Sequence, residues 1–117
     1  GDLSALAVTV QVQARVEQVL RVPRTAFFPR PKVDSAVLRL VPRQTPLIGR
    51  NHMDAFTDVV HAGFKQPRKT LLNSLTHGLG GDRAQAAALI DNASLAPGLR
   101  PHELQLEDWV SLYNAST

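Results

Sequence analysis

The sequence predicts a small α+β chain that is mostly helical. Two short β-branched segments lie near the start, apolar residues beyond residue 50 recur at helical spacing, and proline and glycine punctuate the joins. With 117 residues, 44% of them hydrophobic, the chain can bury the core of one small domain. No apolar run approaches the roughly 18 residues of a membrane-spanning helix. The opening Gly1-Asp2-Leu3 lacks the basic and apolar parts of a secretory signal. The absence of cysteine excludes disulfides and thiolate zinc sites, and His52, His61, His77 and His102 show no paired ligand spacing. These features together suit a soluble, cytoplasmic protein.

The first element fits two patterns. Leu3, Leu6 and Val10 form a helical stripe, Val8, Val10 and Val12 alternate like a strand, and β-branched propensity alone favours the strand. A strand is predicted from Val16 to Val22, stopped by Pro23. A second is predicted from Ser35 to Val41, with Ala36, Leu38 and Leu40 on one face and Val37, Arg39 and Val41 on the other. Exposed edges on these strands favour self-association. Between them runs Pro23-Arg24-Thr25-Ala26-Phe27-Phe28-Pro29-Arg30-Pro31-Lys32, where three prolines remove ladder donors and fix φ. Such stiffness holds two aromatics and three cations nearly in place, with little ordering entropy left to lose on binding.

A linker over residues 44–50 leads to the helical part, 51–117. Asn51 or Asp54 is the expected cap of a helix whose stripe is Phe56, Val59, Val60, Gly63 and Phe64. Pro67 breaks it and, being tolerated at a first helical position, restarts a helix through Arg68 to His77 with Leu71, Leu72 and Leu75 inward. Gly78, Gly80 and Gly81 end that helix. Asp82 opens the next, through Ala84 to Asp91, and Arg100-Pro101-His102-Glu103-Leu104 leads to a last helix from Glu107 to Asn114 that buries Trp109, Val110 and Leu112 or Tyr113. His61 reads as an ordinary helix residue near the core stripe and Asp34 as a loop cap rather than a catalytic carboxylate.

The formal charge is only +3, but it is unevenly spread. Residues 1–43 hold seven basic groups against three acidic ones, whereas residues 82–117 hold two against five. That polarity suits a polyanion bound on one face.

Three segments resemble one family in its own order. Phe27-Phe28-Pro29-Arg30-Pro31-Lys32-Val33-Asp34-Ser35-Ala36-Val37 is similar to the late methyltransferase motif of the ribosomal RNA adenine dimethyltransferases. Gly63 to Leu75, reading Gly-Phe-Lys-Gln-Pro-Arg-Lys-Thr-Leu-Leu-Asn-Ser-Leu, resembles their Gln-x-Arg-Lys-Thr-Leu segment, and Leu99 to Leu104 their Arg-Pro-Glu-Glu-Leu turn. Pro67 stands where that family often has a further arginine. With Leu3-Ser4 to Gln11, the resemblance covers nearly the whole chain.

The resemblance implies a helix and then a strand for the opening segment, and it places residues 1–43 as the end of a catalytic domain. The strands then become edge strands of a Rossmann-like methyltransferase sheet, followed by a small C-terminal helical bundle at 51–117 that docks RNA. It implies dimethylation of adjacent adenines in small-subunit ribosomal RNA, with S-adenosylmethionine as methyl donor. In that chemistry the exocyclic amine attacks the sulfonium methyl after the base is extruded and oriented, and no strong general base is needed.

Phe27 aligns with the aromatic wall that stacks on the extruded adenine, and Phe28 with a neighbouring contact. Arg24, Arg30 and Lys32 flank them to meet phosphates, while Lys65, Arg68 and Lys69 gather at a helix start that favours an anion. The glycine-rich cofactor loop, the acidic ribose partner and the Asn-Leu-Pro-Tyr type catalytic motif are not found here. The resemblance places them upstream of Gly1, so the segment by itself is expected to bind no cofactor and to be inactive. The macrolide-resistance branch, acting on large-subunit RNA, shares the Phe-x-Pro motif but diverges in the helical region. Other readings are a non-catalytic RNA-binding or ribosome-assembly module and a purely structural helical domain.

Overall fold

The computed structural model describes residues 4–26, 29, 32 and 35–117. Phe27, Phe28, Arg30 and Asp34 therefore lie outside the described residues. Helix α1 (Ala5–Gln11) starts at Ser4, whose hydroxyl accepts a hydrogen bond from the Ala7 N–H. Propensity loses to burial here. The helix sets Val8 and Val12 one turn apart on a single face, and both are fully buried.

Strands β1 (Ala14–Val22) and β2 (Ser35–Pro42) pair antiparallel, from Ala14 opposite Pro42 to Val22 opposite Ser35. The register shifts between Gln18 and Leu20, so β1 carries one residue more than its partner. Leu38 and Leu40 share a face as expected: with Val16 of β1 and Leu6, Ala7 and Val10 of α1 they line one apolar groove. Leu6, Leu38 and Leu40 are each more than half exposed.

The rest is helical: α2 (Met53–Gly63), α3 (Leu71–Gly78), α4 (Arg83–Asn92) and α5 (Leu106–Ser116). Neither Asn51 nor Asp54 caps α2. A 3-10 turn, Arg50–His52, leads into it, with His52 N bonded to Gly49 O at 2.9 Å, and the Met53 N–H that an Asn51 cap would have served bonds the Arg50 carbonyl. The His52 Nδ1 pairs instead with the Tyr113 hydroxyl at 2.9 Å, tying the start of α2 to α5.

Pro67 does not restart a helix. Thr70 caps α3, its hydroxyl accepting from the Asn73 N–H, while the residues before it close a turn in which Lys69 N bonds Gln66 O, and Leu71 N, the first of α3, bonds Leu99 O. Asp82 caps α4 as expected, accepting from the Gln85 N–H at 3.0 Å. Gln105 and Asp108 form a capping box at α5.

Trp109, Phe56, Leu71, Leu75, Ile90, Leu104 and Leu112 form the centre of the core, joined by Val8, Val12 and Ile48 from upstream of α2. No described residue of the hairpin belongs to it. Two glycines allow the helices to approach. A Cβ on Gly63 would sit 2.5 Å from the Trp109 ring, and one on Gly78, the last residue of α3, 2.6 Å from the Ala62 Cα. Gly80 and Gly81 take positive φ, which stops α3 as the sequence predicts. Val110 is only half-buried, whereas Leu112 and Tyr113 are both buried.

Candidate nucleic-acid interface

The expected site residues fall into two places. Arg24 lies in a 3-10 turn (Arg24–Ala26) just past β1, and its Nη1 donates to the Lys32 carbonyl oxygen at 3.5 Å. Arg24 and Lys32 are exposed, at the neck of the loop where the pairing of Val22 with Ser35 closes the hairpin. Of the proposed aromatic and cationic cluster, these two cations are the part that can be placed.

Lys65, Arg68 and Lys69 are all exposed in the turn between α2 and α3. They precede the first turn of α3 rather than lying inside it, with Lys69 just before the Thr70 cap. The turn is pinned from below by Ser74, fully buried on α3. Its Oγ accepts from the Gln66 N–H at 2.8 Å and donates to the Ala62 carbonyl at 3.3 Å, fixing both ends of the stretch that carries Lys65. Arg83 on α4 adds a bond to the Asn73 side chain at 3.0 Å, at the same end of α3.

Ser74 belongs to the Gln-x-Arg-Lys-Thr-Leu segment, where residue type alone assigns it no role. Its position is the signal: a small polar residue on the inward face between Leu71 and Leu75, where polar groups are as a rule hydrogen-bonded. Ser74→Ala removes the Gln66 partner and leaves a partly buried N–H unpaired. A loss of about 1–3 kcal/mol in a thermal or chemical melt is expected.

Among the described residues no cluster of His, Asp and Glu could hold a metal ion, and no helix is long and apolar enough to cross a membrane. His61 is exposed. What the arrangement offers is fixed, solvent-facing positive charge on a braced turn, suited to phosphate oxygens.

A family model described as ribosomal RNA adenine dimethylase matches residues 1–116. The chain is 36% identical to proteins named ribosomal RNA small subunit methyltransferase A from Bacillus mycoides and Bacillus anthracis, over 97% of its own length and 40% of theirs. It thus spans two-fifths of the length of these curated relatives. Among solved structures, the 23S rRNA methyltransferase ErmE superposes with a TM-score of 0.71 at 29% identity, covering 98% of this chain and 46% of that one. A dimethyladenosine transferase from Plasmodium falciparum gives a TM-score of 0.63 at 23% identity over 93% of this chain and 47% of that one, a likeness of fold alone.

Proposed function

We propose that this chain, which belongs to the ribosomal RNA adenine dimethylase family, is the target-base and RNA-docking part of an enzyme that dimethylates adjacent adenines of small-subunit ribosomal RNA. The observation that carries this reading is the exposed turn of Lys65, Arg68 and Lys69, braced by buried Ser74. Residues 1–43 then end the catalytic domain, 44–50 link, and 51–117 dock RNA, with α1 and Ile48 packed onto the docking part. The apolar groove of α1 and the hairpin is assigned to the face where these strands edge a larger Rossmann-like sheet, and exposed edges would let the isolated chain self-associate.

S-adenosylmethionine is the methyl donor in this reading, and among the described residues the glycines do not fit it. Gly80 and Gly81 follow a helix rather than a strand, with nothing within 4 Å of where a Cβ would lie, so they form no cradle for the donor. The chain's share of the work is to hold the RNA backbone and present the base, Phe27 forming the stacking wall with Phe28 beside it and Arg24, Arg30 and Lys32 meeting flanking phosphates. Alone it transfers no methyl group. The setting is cytoplasmic, with the small ribosomal subunit as partner.

Charge reversal tests the docking turn. Arg68→Glu with Lys69→Glu removes about two phosphate contacts, flattening the salt dependence of RNA binding by roughly 1.4–1.8 in slope and weakening binding about fifteen- to thirtyfold near 0.15 M salt. An unchanged slope in that titration contradicts the reading. The likeness to the 23S rRNA enzyme supports a second reading, a large-subunit target. Tighter binding of a large-subunit hairpin than of a small-subunit one, in the same titration, would favour it.

A further inference from the structure

We propose a second phosphodiester-binding site at the base of the hairpin, formed by Arg15, Arg43 and Arg50 and taking the RNA backbone at a distance from the target-base loop. The proposal rests on the RNA-docking reading above and extends its footprint. Two adjoining clefts meet there, one lined by Arg15, Val41, Pro42, Arg43, Gln44 and Thr45, the other by Gln13, Pro42, Arg43, Pro46, Arg50 and neighbouring apolar groups. They share Pro42 and Arg43, so the three guanidiniums follow one continuous surface where β1 and β2 leave the helical body.

Among the described residues no acidic side chain lines either cleft. That separates this surface from the groove between α2 and α3, where Lys65, His61 and His77 share the lining with Asp58. Glu17, two residues along β1 from Arg15, lies opposite Arg39 in the strand register, and Asp54 does not line the cleft beside Arg50.

Arg43 is the pre-organised member. Half-buried, it donates from Nε to the carbonyl of Gln11, the last residue of α1, at 2.9 Å, while its backbone N–H bonds the Gln13 carbonyl at 2.9 Å. The side chain is thus clamped by its inner nitrogen. Its two terminal nitrogens, like the exposed guanidiniums of Arg15 and Arg50, meet no hydrogen-bond acceptor among the described residues. A planar fork held in this way loses little entropy on pairing with two phosphate oxygens. Exposed Gln44 and Thr45 add neutral donors beside it. Arg15 lies seven residues from Val22 along β1, so this site is roughly 20 Å from the loop neck at strand rise. It is a separate contact and not part of the loop cluster.

The test is a salt series of RNA titrations with the whole chain and a small-subunit ribosomal RNA hairpin. Arg15→Gln with Arg50→Gln should reduce the slope of log affinity against log salt by about 1.4–1.8 and weaken binding about fifteen- to thirtyfold near 0.15 M salt. Arg15→Lys with Arg50→Lys, which keeps the charge, should hold the slope. An unchanged slope in the glutamine variant, with the Arg68→Glu/Lys69→Glu variant still flattened, overturns this site and leaves the docking turn standing. Salt-independent binding by the unaltered chain overturns both. If millimolar inorganic phosphate binds the unaltered chain without displacing the RNA, and that binding is lost in the glutamine variant, the clefts are a small-anion pocket and the backbone assignment fails.

Discussion

Trp109→Ala is expected to lower the unfolding free energy by about 3–5 kcal/mol, a large share of the roughly 5–15 kcal/mol that holds a domain of this size together. The ring is fully buried, stacks on Phe64 with centroids 4.9 Å apart at 18°, and fills the space that Gly63 leaves open. Its indole N–H finds no acceptor among the described residues, so packing alone holds it. Trp109→Phe should therefore cost less than half as much, since no hydrogen bond is lost and most of the ring volume remains. A melt showing both variants within 1 kcal/mol of the parent, on the order of the error of such measurements, would contradict this packing account. Because Trp109 joins α5 to the end of α2 that leads into the basic turn, Trp109→Ala should also weaken RNA binding through loss of fold.

The second large effect concerns catalysis by a complete enzyme containing this chain. Phe27→Ala should slow methylation about five- to hundredfold, the loss of one base–aromatic stack worth roughly 1–3 kcal/mol. Binding of the RNA should change far less, because phosphate contacts supply most of the affinity. Phe28→Ala should affect stability as much as rate if Phe28 packs rather than stacks. Single-turnover methyl incorporation separates the cases, and turnover unchanged in Phe27→Ala would remove the stacking role. The frame that carries the loop is laid down by the described residues: paired strands up to Val22 and Ser35, then a 3-10 turn closed by Ala26 N bonding Pro23 O at 3.0 Å.

Much of this architecture was legible because its determinants are local or periodic. The stripe of Phe56, Val60 and Gly63 predicted the buried face of α2, and Asp82 announced the start of α4. Burial that depends on distant partners was harder to read. Val8 and Val12 belong to the strand alternation, and the helical stripe read from sequence was Leu3, Leu6 and Val10; helices more than forty residues away instead bury Val8 and Val12 and leave Leu6 exposed. Pro67 misled for a related reason: it is allowed at a helix start, but the chain there is held by Ser74 and by the Leu99 carbonyl, neither of which is near it in sequence. Asn51 and Asp54 suit a cap by residue type, yet Asn51 lies within a 3-10 turn whose Arg50 carbonyl takes the Met53 N–H, and Asp54 falls inside α2 because the helix begins at Met53.

The candidate site divides along the same line. The cations at 65, 68 and 69 could be read directly from clustering and motif, whereas the serine that fixes their turn shows its task only once α2 and α3 are packed. Arg15, Arg43 and Arg50 are spread over thirty-six positions and come together only because β1 and β2 close into a hairpin whose base shares a cleft with the 3-10 turn before α2.

The most direct test of the central claim, that this chain is an RNA-docking part of its family's enzymes, is titration of the chain with a small-subunit ribosomal RNA hairpin bearing two adjacent adenines, repeated across a salt series. The account predicts binding whose log affinity falls with log salt at a slope of at least about −2, as expected for three or more phosphate contacts. Absent binding, or affinity indifferent to salt, would contradict it.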